Sequence, residues 1–240
     1  RGIFILLHAM ITGMGALSYS AQVSGEEEEE FTKKDMIFSI IIAFAVAALG
    51  FGVLPVVLTK PFNIQSEFWF AFFEGVIRAV LDIGYIWGIS FMKDVKRVFQ
   101  YHGAEHKSVY TYEKNEPLEV EFAKKYTTLH PRCGTSFLLI SLFTSIFVFS
   151  FIPRFEEATQ VLKIVYRLLV QTALLPLIIG ISYEFIRLAG RNNNAFTRFI
   201  SSPGLQLQRL TTKEPDDKQI EIAIAAVKPC IPDNLEDDQW

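Results

Sequence analysis

The chain is 240 residues long and half apolar, with 22 Phe, only two Cys (Cys133 and Cys230) and a formal net charge of −3. This composition excludes a disordered chain, a collagen-like chain and a disulfide scaffold. The charge offers no basic surface for a nucleic-acid partner. A positive mean hydropathy of +0.28 says instead that apolar residues are clustered, so the placement of charge along the chain decides between a soluble globule and a membrane protein.

The first segment, Gly2 to Tyr19, is apolar but interrupted by His8, Thr12, Gly13 and Gly15. It reads as a span, a re-entrant hairpin or a helix lying in the interface. No small-x-small cleavage site precedes the acidic run Glu26 to Glu30, which argues against a signal peptide. The run itself reads as a solvated linker. From Met36 to Leu58 there are 23 residues without Asp, Glu, Lys or Arg, enough to cross a hydrocarbon core of about 30 Å. Gly50, Gly52 and Pro55 near its end are tolerated in membrane helices.

Phe68 to Met92 carries Glu74, Arg78 and Asp82 at i, i+4, i+8, on one helix face. Arg78 stands one turn from a carboxylate on either side. The other faces are bulky and apolar, and Trp69 and Trp87 sit near the ends like an interfacial belt. The segment is therefore expected to span with its charged stripe inward, the alternative being a soluble amphipathic helix. Two further apolar stretches, 134–152 and 164–186, complete four spans, the last with Arg167 and Glu184 near its ends, where long side chains can snorkel.

Orientation follows from Lys and Arg. The loop between the second and third spans holds Lys93, Lys96, Arg97, Lys107, Lys114, Lys124, Lys125 and Arg132, and the tail adds Arg187, Arg191, Arg198, Arg209 and Lys213. The turns on the other side offer Lys60, Arg154 and Lys163. The loop and tail are thus expected in the cytoplasm, with the chain in the cell (inner or plasma) membrane. The expected architecture is all-α, a polytopic membrane helix bundle. It divides into an N-terminal segment and linker (1–35), a two-span hairpin (36–92), a loop (93–133), a second hairpin (134–186) and a tail (187–240). The bilayer is the expected partner, and self-association is open.

Three of the four His residues, His102, His106 and His130, fall in or at the end of the loop. Lys93 to Ser108 reads as a helix continuing from the span. Within it, His102-Gly103-Ala104-Glu105-His106 puts both imidazoles on one face, one turn apart, where they can chelate a divalent ion. Glu105 lies beside them, in a position to take a proton from an attacking water. Two surface histidines on a helix would look the same. His130-Pro131-Arg132-Cys133-Gly134 immediately precedes a span. Pro131 suits a first helical turn, which would put His130 at the cap and Cys133 in the opening turn. His and Cys donors favour zinc and similar ions.

If all four converge, they make a closed structural site. If His102 and His106 join with His130 or an acidic residue and leave a position open, the site is reactive. Glu105 is then the general base and Arg132 a stabiliser of developing negative charge. Glu74 and Glu184 are the other carboxylates near the bilayer, with Arg78 and Arg187 as their expected partners.

The strings DVKRVFQYHGAEHKSVYTYE, LHPRCGTSFL, SYEFIRLAGR and PGLQLQRLTTKEPDDKQIEIAI resemble the bacterial YqhQ-like family, from Arg1 to about Val227. Glu74-Gly75 and Arg78 also fit its pattern. The family consists of multi-pass membrane proteins of unknown function, described as predicted metal-dependent enzymes. Its members usually carry an upstream Gly-rich segment that this sequence does not include. The resemblance implies a membrane location and metal binding. It brings no substrate.

In the tail, Pro203-Gly204 signals a turn, followed by LQLQRLTT with alternating apolar residues. Glu214 to Asp217 reads as a helix start, with Gln219 to Val227 as a short helix of a small cytoplasmic cap. Pro229 to Trp240 reads as disordered. Three functions stay open: a membrane metal-dependent hydrolase, such as a peptidase; a non-enzymatic protein stapled by structural zinc; and a transporter or channel component using the Glu74, Arg78 and Asp82 stripe.

Overall fold

A computed structural model describes residues 2–24, 33–152, 159–191 and 194–232, and no strand occurs among them. The acidic run Glu26 to Glu30 and the last eight residues lie outside this range. The chain forms two compact units, neither contiguous in sequence: Arg1–Ala79 with Phe143–Tyr183, and Val80–Leu142 with Glu184–Trp240.

The first unit is built from apolar helices. α1 (Gly2–Ser24) is one continuous helix, so of the three readings of this segment the hairpin falls away. α2 (Lys33–Ala47) runs through a π-helical stretch, Ala48–Val53, into α3 (Leu54–Thr59). The wide turn sits where Pro55 has no N–H to offer its preceding turn and glycines ease the backbone; the Leu54 N–H reaches back five residues to the Leu49 carbonyl. Asn63, at φ 47°, ends the following short 3-10 turn in the left-handed region.

Gly2–Ser20, Ile37–Phe62 and Val161–Leu188 are long and apolar enough to cross a bilayer. Within them Phe4, Ile11, Phe44 and Leu169 are each at least 66% exposed. Helices apolar on every face and left uncovered are stable only with lipid as their solvent, so the chain is a membrane helix bundle.

α4 (Glu67–Ile89) has spanning length, about 34 Å at 1.5 Å per residue, but carries the three stripe charges. It counts as a fourth candidate span only when taken together with the helix that follows it, Lys93–Glu113, across a sharp bend. α7 (Gly134–Phe149) has 16 residues, about 24 Å, shorter than the 134–152 span expected, because a turn at Ser150 and Phe151 ends it. The first unit packs Phe149, Ile152 and Ile178 against Val148, Tyr166, Val170 and Leu174. Gly75 permits α4 to approach α7 closely: a Cβ there would stand 2.3 Å from Ile146 Cγ1. Buried Glu74 pairs with Arg78 at 2.9 Å and with Arg167 of α8 (Gln160–Arg191), and Gln171 donates to it at 3.1 Å. Glu184 lies 3.7 Å from Arg187, the pairing expected for it.

The second unit centres on α5 (Lys93–Glu113). The chain does not run straight into it from α4: the two helices meet at 100°, with extended Met92 between them. The bend falls where apolar sequence gives way to the charged run Lys93 to Arg97. α6 (Val120–Ala123) and α10 (Asp217–Val227) pack on α5 through Ala104, Ala123, Ile220, Ala223 and Ile224. The helix start expected at Glu214 to Asp217 is there, and Asp216 and Gln219 close it with a capping box.

The Pro203-Gly204 turn does not occur. α9 (Ala195–Thr211) runs through both residues, started by the Asn194–Thr197 capping box. Gly204 serves packing instead, since a Cβ there would lie 2.6 Å from Ser136 Oγ. Beyond α10, Lys228–Cys230 forms a 3-10 turn, so order extends past the Pro229 boundary of the expected disordered end.

Candidate metal centre

α5 presents His102 and His106 one turn apart, with ring centroids 4.5 Å from each other. The third donor comes from the segment before α7. Pro131 and Arg132 form a turn and the helix begins at Gly134, so Cys133 stands at the cap and not in the opening turn. Its sulfur takes the place of a capping oxygen, accepting the Thr135 N–H at 3.3 Å. His102, His106 and Cys133 bring one donor atom each within 4.8 Å of one another.

The orientation of the two rings is fixed from behind. His102 Nδ1 lies 2.8 Å from the Thr211 carbonyl, and His106 Nδ1 makes a 2.5 Å contact with the Thr128 carbonyl. A carbonyl only accepts, so each Nδ1 carries its proton and donates. Each Nε2 is left to face the sulfur, with His102 Nε2 3.2 Å from Cys133 Sγ. A backbone carbonyl behind each imidazole is the usual second support of a metal-binding histidine. Burial would raise the Cys133 thiol, but hydrogen bonds from His102, His106 and Thr135 outweigh it and hold the thiol at about 5. Burial works against a charged His102, yet the Cys133 sulfur, the Thr211 carbonyl and Glu105 raise it. The group supplies one sulfur and two imidazole nitrogens, the donor chemistry a divalent ion of zinc type accepts.

His130 is buried next to these three, its ring 5.6 Å from that of His106, and both its nitrogens are engaged. Nε2 lies 3.3 Å from Glu113 Oε2, and Nδ1 accepts the Arg132 N–H at 3.2 Å. Arg132 in turn pairs with Glu113 at 3.3 Å. Burial would raise the Glu113 carboxyl, but His130 and Arg132 together hold it below its ordinary value. Glu105 is exposed on the edge of a cleft of about 520 Å³ lined also by all three donor residues, Glu113, His130 and Arg132. The six residues that the sequence singled out therefore share one cleft, three as a tight donor group and three around it.

Several supports carried no sequence signal. Fully buried Gln208 grips the backbone of His130 on both sides, accepting its N–H and donating to its carbonyl at 2.8 Å each, and also donates to Ser136 Oγ at 3.0 Å. Gly103 is required by the Lys213 carbonyl, which a Cβ would meet at 2.2 Å. This contact lets the Lys213 N–H bond to the Phe99 carbonyl at 2.9 Å. Lys107, buried beside His106, ties the loop to the tail through Tyr126 O at 2.7 Å and Glu214 Oε1 at 2.6 Å.

The family described as "Protein of unknown function (DUF1385)" matches residues 1–233. The chain is 34% identical over 242 residues to "Uncharacterized protein YqhQ" of Bacillus subtilis (strain 168), covering 93% of this chain and 74% of that protein. No solved structure matches. The whole-length match and the likeness to YqhQ agree with the strings that carry the histidines, and the chain belongs to the DUF1385 family.

Proposed function

We propose that the protein is a membrane metal-dependent hydrolase in which His102, His106 and Cys133 hold a divalent ion, zinc by donor preference. One observation carries the reading. Three donors converge within 4.8 Å on the wall of an open cleft whose edge carries Glu105. Three protein donors with room beside them suit a reactive site, whereas a structural zinc site is closed by four. A bound ion would supply a Lewis acid for the scissile carbonyl.

The chain's own residues do the rest. Glu105 takes a proton from water and passes it to the leaving group. Arg132, steadied by Glu113, offers a guanidinium to the charge that develops on the carbonyl oxygen. The lysines and arginines of the loop and tail support a cytoplasmic side for the cleft.

The test is Glu105→Gln in the purified full chain. Metal content by elemental analysis stays at the wild-type value, while hydrolysis of an ester and peptide panel falls by at least about 100-fold. Hydrolysis that survives with metal in place removes Glu105 as the base, and a metal-loaded wild-type chain that hydrolyses nothing on the panel sinks the hydrolase. A second reading, a structural staple, has its own support, because the donors and their carbonyls join α5, the loop, α9 and the start of α7. It expects Glu105→Gln to be silent and Cys133→Ser to lower metal content and thermal stability together.

A further inference from the structure

The cleft with the donor group is not the only cavity along α5. A second, of about 550 Å³, lies between α5 and α10, and Glu105, Val109 and Tyr112 line both. These three recur at helical spacing, so one strip of α5 is the wall shared by the two cavities. Their chemistry differs. The first is lined by His, Cys, Arg and Glu side chains, and the second mainly by apolar ones, among them Ile222, Ala226, Val227 and Ile231. Ile222 is 53% exposed and Ala226 is exposed, while the core takes Ile220, Ala223 and Ile224 from the same helix. α10 thus keeps an apolar face in the groove that its own packing does not use.

We propose that this groove is the acyl-chain subsite of the hydrolase, and that the substrate is an ester or amide of a long aliphatic acid. Its hydrocarbon arm lies along α10 and its carbonyl reaches Glu105. The chemistry rests on the hydrolase reading; the occupant rests on the groove itself.

Three observations select a hydrocarbon. The volume falls in the range of small-molecule sites, about 300–1,000 Å³. The groove adjoins the donor cleft across Glu105, Val109 and Tyr112, which line both, so an acyl chain in it ends beside Glu105. Most of the groove's wall is helix, with backbone groups bonded within α5 and α10, and Cys230, Ile231 and Pro232 close one end. An extended peptide brings an N–H and a C=O with every residue, each needing a partner, and among the described residues the groove has no strand edge to supply them. A hydrocarbon needs none. The bilayer around the apolar helices is a ready source of such chains.

The reaction balances as hydrolysis. The bond from the acyl carbon to the ester oxygen or amide nitrogen breaks, and the water oxygen bonds to that carbon. One water proton passes by way of Glu105 to the leaving alcohol or amine. The acid departs as a carboxylate, its own proton going to solvent.

The test uses the full chain in lipid nanodiscs with two probes. A diazirine-bearing palmitic acid is photolysed and the labelled residues are mapped by mass spectrometry. Label is expected on Ile222, Ala226, Val227 or Ile231, with or without chelator. Ala226→Trp fills the groove from an exposed position, and Ile222→Asp places a carboxylate in it; each is expected to cut that label by about tenfold without moving the melting temperature. A series of p-nitrophenyl esters of rising acyl length is expected to gain about fourfold in kcat/KM per methylene until the groove is full, and Ala226→Trp flattens the series.

Label confined to α1, α2, α3 and α8 overturns the proposal, as does hydrolysis indifferent to acyl length or a preference for peptide amides. Label on α10 from a metal-loaded protein that hydrolyses none of the esters keeps the acyl site and removes the hydrolase reading. The two can therefore fail separately.

Discussion

At the scale of single residues, the donor atoms depend on partners that contribute no metal chemistry. The segment bearing Cys133 has no regular structure until Gly134, and Gln208 holds it by satisfying both backbone groups of buried His130. Gln208→Ala leaves that N–H without a partner, at about 1–3 kcal/mol, and leaves the C=O with only the Cys133 N–H at 3.4 Å, at about 1 kcal/mol more. The expected outcome is a loss of about 2–4 kcal/mol in unfolding free energy, faster amide exchange at His130 and weaker metal retention under chelator. Unchanged exchange at His130 would show that the clamp is unnecessary.

His102, His106 and Cys133 were legible because few residue types bind metal and these stand at ligand spacing. Thr128 and Thr211 were not, because they act through carbonyls that every residue possesses. Gln208 sat in LQLQRLTT, whose alternation hides a helical position facing His130.

Among the elements, local signals and tertiary demands competed with different results. The start of α10 was readable because Glu214 to Asp217 place acids at a helix N-terminus, where Asp216 and Gln219 then make a reciprocal cap. α9 was misread at Pro203-Gly204, where proline normally breaks a helix and glycine ends one. The capping box at Asn194 and the close approach of Gly204 to Ser136 outweigh the missing hydrogen bond. The bend before α5 was missed because helical periodicity continues through it; only the change from apolar to charged residues marks the place.

α10 matters to the site because it packs on the same helix that carries both histidines. Ile220 is 1% exposed at the centre of that contact. Ile220→Ala should cost about 2–5 kcal/mol. Proteolysis is expected to release the tail first, with cleavage between Thr212 and Asp216 appearing before cleavage in α5. Simultaneous loss of both helices would show instead that α5 does not stand without its partner.

For the molecule as a whole, near-neutral charge and an ordinary apolar fraction are averages over two kinds of environment. Uncovered apolar helices supply one, and the polar α5, loop and tail supply the other. The charge gaps made the membrane class legible, and α1 and α7 show the limit of that reading. Span length depends on where a helix ends, and Ser150 gives little warning that α7 stops short.

The charged stripe on α4 could be seen in the sequence, but its main partner could not, since Arg167 is 93 residues from Glu74 in the chain. Glu74 is 2% exposed and is shared by Arg78 and Arg167, whose guanidiniums also lie over Phe149 and Phe70 at 5.5 and 5.1 Å. Glu74→Gln keeps the side-chain shape and removes the carboxylate charge that both arginines share. Breaking a buried pair from one side costs about 3–5 kcal/mol, because the remaining charge stays desolvated.

Adding Arg167→Leu removes one of those charges. The double variant should therefore recover part of the loss, a coupling that unfolding in mixed SDS micelles can measure. Additive losses would show that Glu74 and Arg167 act independently. A Glu74→Gln variant as stable as wild type would show that the stripe is retained for something other than holding the bundle together, and would return attention to a polar pathway through it.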